Sequence, residues 1–230
     1  MNNLQELENR IGYHFRDKNL LLNALTHSSF SSEHGLEYCM NNERLEFIGD
    51  GFLDAIVGTE LYKLMPKAHE GVLSKNRAEV VCEESLVEAA RKLGIGDVIQ
   101  LGRGEFLNGG RDKDSILADA IEAVIGASII DGGYEAGKTI VLGLFKEKIG
   151  LAVQGKLNSD YKSKLQEILQ DKYKSIKINY VLVHEEGPDH DKVFNVDVVV
   201  NGRILGSGSG KSKSKAEQAA AENVLSKGEI

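Results

Sequence analysis

The residues best suited to chemistry lie in two short acidic segments. The first is Asn42-Glu43-Arg44-Leu45-Glu46-Phe47-Ile48-Gly49-Asp50, followed by the apolar residues Phe52, Leu53, Ala55, Ile56 and Val57. At about 100° per residue, Glu43, Glu46 and Asp50 fall within roughly 60° of one another on a helix, so three acids share a stripe. Most of the remaining circumference is apolar. A helix of that kind is normally buried, which predicts acids that are buried or half-buried. Carboxylates crowded in a poorly hydrated place lose hydration and repel one another, so they must be protonated, paired with bases or bound to a cation. Arg44 is the only base at hand inside the motif. A plainer reading makes Asn42 an N-cap followed by acids that favour a helix start. That accounts for Glu43 but not for Asp50, about two turns further in and beyond the dipole's reach.

The second segment, Ser115-Ile-Leu-Ala-Asp119-Ala-Ile-Glu122-Ala-Val-Ile-Gly-Ala127, repeats the pattern, with Asp119 and Glu122 three apart on one face of an apolar helix. Two such helices predict a polar site shared between packed partners. Hard oxygen ligands in this number suit magnesium or manganese rather than zinc. The six histidines and two cysteines also lack the close spacings of a zinc site. A divalent ion held by carboxylates can activate water and offset charge on a phosphate under attack, so a phosphodiester is the natural substrate.

The elements that must position these acids follow from the rest of the chain. Its 230 residues, 41% hydrophobic and 27% charged, suit one large or two smaller globular domains. No long apolar run or leader pattern suggests a membrane span or secretion, so the default expectation is a cytoplasmic protein. The net charge of −7 argues against nucleic acid until it is divided along the chain. From Leu157 onward eleven bases meet eleven acids, which leaves seventeen against twenty-four in front. An acidic cation site is thus joined to a neutral module whose bases can still cluster.

The front reads as helical throughout: short helices over 4–11 and 20–25, a polar loop over 31–40, the first acidic helix ended by Pro66, and a turn at Glu70-Gly71 feeding one helix over 76–93. His27, just before Ser28, fits a cap or a packing role, with a catalytic role as the lesser alternative. Six glycines between 94 and 110 predict an irregular loop, and the absence of a Gly-Lys-Ser/Thr ending excludes a P-loop. After the second acidic helix, ended by Asp131-Gly-Gly, a closing helix over 136–149 is expected. Behind a linker over 151–158 the periodicity changes. A helix over 159–170, capped by Ser159 or Asp160, precedes alternating strands over 176–183, 193–200 and 204–207, with Asn201-Gly202 as a hairpin turn. An alanine-rich helix over 214–225 follows, with Lys211, Lys213 and Lys215 around its start, where backbone N–H groups also favour phosphate. The division expected is 1–150 for a catalytic domain, 151–158 for the linker and 159–230 for an α-β-β-β-α module.

Together these segments resemble the ribonuclease III family. The similarity runs in order through Ala24-Leu-Thr-His-Ser-Ser29, 42–50, Glu70-Gly-x-Leu-Ser74, Arg77-Ala78 and 115–123. In the tail, Gly187-Pro-x-His190, Phe194, Gly208-x-Gly-x-Ser212-Lys213 and Ala216-Glu-Gln-x-Ala-Ala resemble the double-stranded-RNA-binding domain of bacterial members. The resemblance implies an all-α catalytic domain followed by an α+β RNA-binding domain. It also implies an endoribonuclease that cuts both strands of duplex RNA in rRNA and mRNA processing, with water expelling the 3′-oxygen to leave 5′-phosphate and 3′-hydroxyl ends. On this basis Glu46, Asp50, Asp119 and Glu122 are the Mg²⁺ ligands (Mn²⁺ as a substitute), with Asp50 and Glu122 at the centre of catalysis and Glu43 and Glu70 as supporting acids. Gln166, Glu167, His190, Lys213 and Lys215 correspond to RNA contacts, and Lys211 joins them as a base near the same helix start. Ser214 departs from the family, which usually has a second base there. Phe47 corresponds to an aromatic or apolar knob entering a socket on a second copy, and so implies a homodimer. The competing readings are a protein that clamps duplex RNA without cutting it, which would lack one of the four acids, and a magnesium phosphatase of small substrates, which would not need the rear module.

Overall fold

The computed structural model describes residues 2–37, 39–157, 161–173, 176–187 and 192–227. The chain divides into two units, Met1–Leu157 and Asn158–Ile230. The first is helical and the second is built on a three-stranded sheet. No helix among the described residues is long and apolar enough to cross a membrane.

In the first unit α1 (Asn2–Ile11), α2 (Lys18–Ala24) and α3 (Ser28–Glu33) precede α4 (Glu43–Leu64), the first acidic helix. α5 (Glu70–Val80), α6 (Glu83–Leu93), α7 (Ile95–Val98) and α8 (Arg103–Leu107) lead to α9 (Asp114–Gly132), the second acidic helix, and α10 (Tyr134–Val153) closes the unit. The centre is α9, whose residues 116–118, 120–121 and 123–129 are all buried and which packs against α2, α4, α6 and α10. Its dense small and branched apolar residues leave it exposed only near its ends, at Asp114, Ser115 and Ile130, and half-open at Asp119 and Glu122, as expected of a helix surrounded by others. α4 is different. It buries Leu45, Gly49, Leu53, Ile56, Val57 and Leu61, but Phe47 and Tyr62 are 79% and 70% exposed. The expectation of an all-round buried α4 is therefore corrected: Glu43 and Asp50 lie in solvent, and only Glu46 of that stripe is half-buried.

Other corrections have local causes. The loop expected over 31–40 begins later, because Ser28–Glu33 is a helix that the His27 ring caps by accepting from the Ser29 backbone N–H. Asn42 occupies the N-cap position of α4 without a side-chain cap bond; Asn41 Oδ1 accepts from Glu43 N–H instead. The helix expected over 76–93 is two helices. The chain turns at Val81 and Cys82, and Cys82, in an extended conformation, begins α6. Apolar spacing that continues across so short a break hides it, although Ala78 on the first of the two is exposed. The glycine-rich region holds α7, α8 and a 3-10 turn at Gly110–Asp112, elements too short to leave a period. α10 continues to Val153, into the stretch read as linker.

In the second unit α11 (Tyr161–Lys172) and α12 (Lys213–Lys227) pack beside β1 (Ile178–Glu186), β2 (Val193–Val200) and β3 (Arg203–Gly210), an antiparallel sheet in the order β1-β2-β3. Leu165, Leu169, Val198, Val200, Ala220, Ala221 and Val224 form its core. Asn201 (φ 48°) and Gly202 (φ 82°) make the left-handed turn between β2 and β3. Gly206, Gly208 and Gly210 face α12 so closely that a Cβ on Gly208 would overlap the Ala220 backbone. The alternating glycines of β3 thus seat the helix on the sheet. The residues proposed to cap α11, Ser159 and Asp160, lie outside those described.

Candidate active site

α4 and α9 meet backbone to backbone. A Cβ on Gly49 would overlap the Glu122 carbonyl, and one on Gly126 would overlap the Leu45 carbonyl. Only glycine permits this approach at both positions. Glu46 lies one turn before Gly49 on α4, and Glu122 one turn before Gly126 on α9, so the contact that needs glycine also sets the carboxyls of two helices face to face.

Glu46, Asp119 and Glu122 are all half-buried, and one ligand oxygen from each lies within 4.8 Å of the others. Burial is the main force raising the Glu46 carboxyl to a pKa of about 7, with the charges of Asp119, Glu43 and Asp50 adding to it. Glu122 is pushed higher, to about 8, again first by burial and then by Asp50, Glu46, Asp119 and Asp54. Asp119 is also raised by burial; His27 opposes the shift and Glu83 reinforces it. Desolvation and mutual repulsion therefore act together, and a divalent cation would relieve both. The donors fit such an ion: three hard carboxylate oxygens from two rigid helices, with no sulfur or imidazole among them.

The remaining acids are distributed around this group. Asp50 is exposed and is not one of the three, yet its charge reaches both Glu46 and Glu122. Glu43 is exposed and influences Glu46. Glu70 opens α5, where it accepts a hydrogen bond from Ser74 Oγ at 2.7 Å; it is not among the gathered carboxyls. Three neighbours were not identified from sequence as part of this site. Asp54 lies one turn beyond Asp50 and continues the stripe, a signal the helical spacing did contain. His27 and Glu83 arrive from distant segments; His27 lies in the Ala24–Ser29 motif, but nothing in the spacing places it beside Asp119, and no local pattern marks Glu83.

Phe47 stands out from α4 beside a cavity of about 670 Å³ whose lining includes Leu20, Asn23, Cys39, Ile48 and Ile130. In the second unit Lys211, Lys213 and Lys215 are exposed at and before the first turn of α12. Ser212 begins that helix, accepting from Lys215 N–H through Oγ and from Ala216 N–H through its carbonyl. The Lys213 ammonium lies 6.0 Å from the Phe194 ring centre. Gln166 and Glu167 are exposed on α11. His190 lies outside the described residues.

Comparison with known proteins adds a family to this geometry. A family described as Ribonuclease-III-like matches residues 17–149, and one described as Double-stranded RNA binding motif matches residues 161–227. Ribonuclease 3 of Caldanaerobacter subterraneus subsp. tengcongensis is 50% identical over 224 residues, covering 97% of each chain. That of Streptococcus pneumoniae is 45% identical, covering 96% of this chain and 95% of the relative. Among solved structures, the nuclease domain of ribonuclease III from Campylobacter jejuni, described with a flexible region involved in dimer formation, aligns with a TM-score of 0.59 at 46% identity. It covers 63% of this chain and 97% of that one.

Proposed function

This chain belongs to the ribonuclease III family, and from that premise we propose that Glu46, Asp119 and Glu122, with Asp50 beside them, hold Mg²⁺ at the centre where the RNA strand is cut. The enzyme is an endoribonuclease of double-stranded RNA. The observation that carries the metal assignment is the meeting of carboxylates from α4 and α9 within 4.8 Å. Mg²⁺, or Mn²⁺ in its place, supplies an activated water and offsets the charge that builds on the phosphate. Glu46, Asp119 and Glu122 would hold the ion where the two helices meet, and Asp50 and Glu122 would be the acids at the centre of catalysis. Glu43 and Glu70 support substrate or metal positioning. The products carry 5′-phosphate and 3′-hydroxyl ends, and the substrates are duplex regions of rRNA and mRNA precursors in the cytoplasm.

The helical unit, which reaches Leu157, serves as the nuclease, and the unit from Asn158 onward serves as the duplex-gripping module. There Lys211, Lys213 and Lys215 meet phosphates at the start of α12, Lys211 or Lys215 standing in for the base absent at Ser214, while Gln166, Glu167 and His190 make the remaining contacts. Two copies associate through Phe47, which enters the partner's equivalent of the cavity bordered by Leu20 and Ile130. A largely exposed aromatic ring on the rim of an apolar cavity supports this exchange, since a two-fold axis lets residue and cavity serve each other reciprocally. It also supplies a second carboxylate group for the second strand.

The deciding experiment incubates a long RNA duplex with the protein, with and without Mg²⁺, and sizes the products and their ends. Staggered double cuts that require Mg²⁺ are expected. Intact duplex that is still bound would leave a clamp rather than a nuclease.

A further inference from the structure

We propose that Arg77, steadied by Asp54, is a substrate contact of the nuclease unit that grips an RNA phosphate flanking the one being cut. The inference rests on the duplex-cleaving reading above and adds a residue to it. Asp54 lies four residues after Asp50 on α4, about 6 Å further along the axis, and its charge reaches Glu122. Arg77 comes from α5. Its Nε is 3.7 Å from Asp54 Oδ1, and a Cβ at Gly58 would touch Arg77 Cδ at 3.5 Å. The arginine stem therefore lies across α4 one turn beyond Asp54, beside Gly58.

The pair is poorly explained as a stabilising ion pair. Both side chains are about two-fifths exposed, 42% for Arg77 and 41% for Asp54, and a solvent-exposed pair of that kind adds little to stability. Meanwhile Asp54 adds a further negative charge to a group already repelling itself. Nor does the geometry satisfy the guanidinium: Nε is buried without a hydrogen-bond partner, while the side chain as a whole remains open to solvent. An RNA strand approaching Glu43, Glu46, Asp50, Asp54, Asp119 and Glu122 meets acids of its own sign. A cation fixed at the end of that row, about a turn or two from the metal group, offsets the repulsion at a neighbouring phosphate. Arginine suits the position because its planar fork binds phosphate oxygens in a set orientation. Asp54 limits the swing of the fork, which makes it a positioning residue.

The test is the cleavage kinetics of the full chain on a defined duplex over a series of salt concentrations. For Arg77→Gln, KM rises about tenfold, as one charged contact worth about 1.4 kcal/mol requires, while kcat stays within about twofold. The slope of log kcat/KM against log salt flattens by about 0.9, one phosphate contact fewer. Arg77→Lys keeps the charge and restores the slope with part of the KM. Asp54→Asn raises KM about threefold and leaves the slope unchanged. Should Arg77→Gln melt below the assay temperature, the comparison of wild type with Arg77→Lys and Asp54→Asn carries the test. A wild-type slope and KM in Arg77→Gln, a fall in kcat with KM untouched, or equal losses in Arg77→Gln and Arg77→Lys would each overturn the assignment. Failure of the wild-type chain to cut any duplex would instead refute the parent reading.

Discussion

Glu122→Gln at alkaline pH sets stability against function within one side chain. In the metal-free chain the Glu46 and Glu122 carboxyls are raised to about 7 and about 8 from an ordinary 4.5. Between pH 4.5 and 8 the folded state therefore holds protons that the unfolded state has released. Stability falls as pH rises through that window, and the whole penalty is present only above it. Each unit of displacement corresponds to about 1.4 kcal/mol; because water reaches both half-buried groups, screening reduces the combined penalty to about 2 kcal/mol. Gln fills the Glu122 position without charge, while Glu46 stays raised by its own burial and by Asp119, Glu43 and Asp50. At pH 8.5 without metal, the helical unit of Glu122→Gln should melt about 3 °C above wild type, because Glu122 carries somewhat over half of that penalty and each kcal/mol moves the melting point by about 2–4 °C. At pH 4.5 the two should coincide. Saturating Mg²⁺ should reverse the order, since wild type gains binding energy that the variant cannot, and turnover of the variant should collapse while duplex binding survives. Scanning calorimetry at the two pH values, with Mg²⁺ and with a chelator, reads all of this. A variant no more stable than wild type at pH 8.5, or a difference independent of pH, would refute the reasoning.

Gly126→Ala drives a methyl into the Leu45 carbonyl and should cost about 1–3 kcal/mol, lowering the melting temperature and the Mg²⁺-dependent stabilisation together; wild-type values of both would show that the close contact does not set the carboxylates. Lys213→Ala should weaken binding of all duplex sequences alike and flatten the salt dependence by about one contact, so a loss confined to particular sequences in gel-shift titrations argues against a phosphate contact. Phe47→Ala should shift sedimentation from dimer towards monomer at micromolar concentration, and a wild-type monomer that still cuts both strands together would sink the proposed exchange.

Much of the site is legible in the sequence because its acids obey a local rule. Helical spacing puts Glu43, Glu46 and Asp50 on one stripe and Asp119 and Glu122 on another, and apolar residues elsewhere on both helices require those stripes to meet something. Alternation and the Asn201-Gly202 turn likewise expose the three strands. These are statements about neighbours within a turn or two, which is the range over which backbone periodicity acts. What tertiary structure decided is how the stripes are shared. Gly49 and Gly126 bring α4 and α9 into backbone contact, and that packing selects Glu46 with Asp119 and Glu122 while leaving Asp50 at the rim and Glu43 in water. It also placed His27 and Glu83 near Asp119, laid Arg77 across Gly58 and turned Phe47 outward. Each of these depends on groups far apart in the chain and on where solvent is excluded, and burial is a property of the packed whole that no single segment carries.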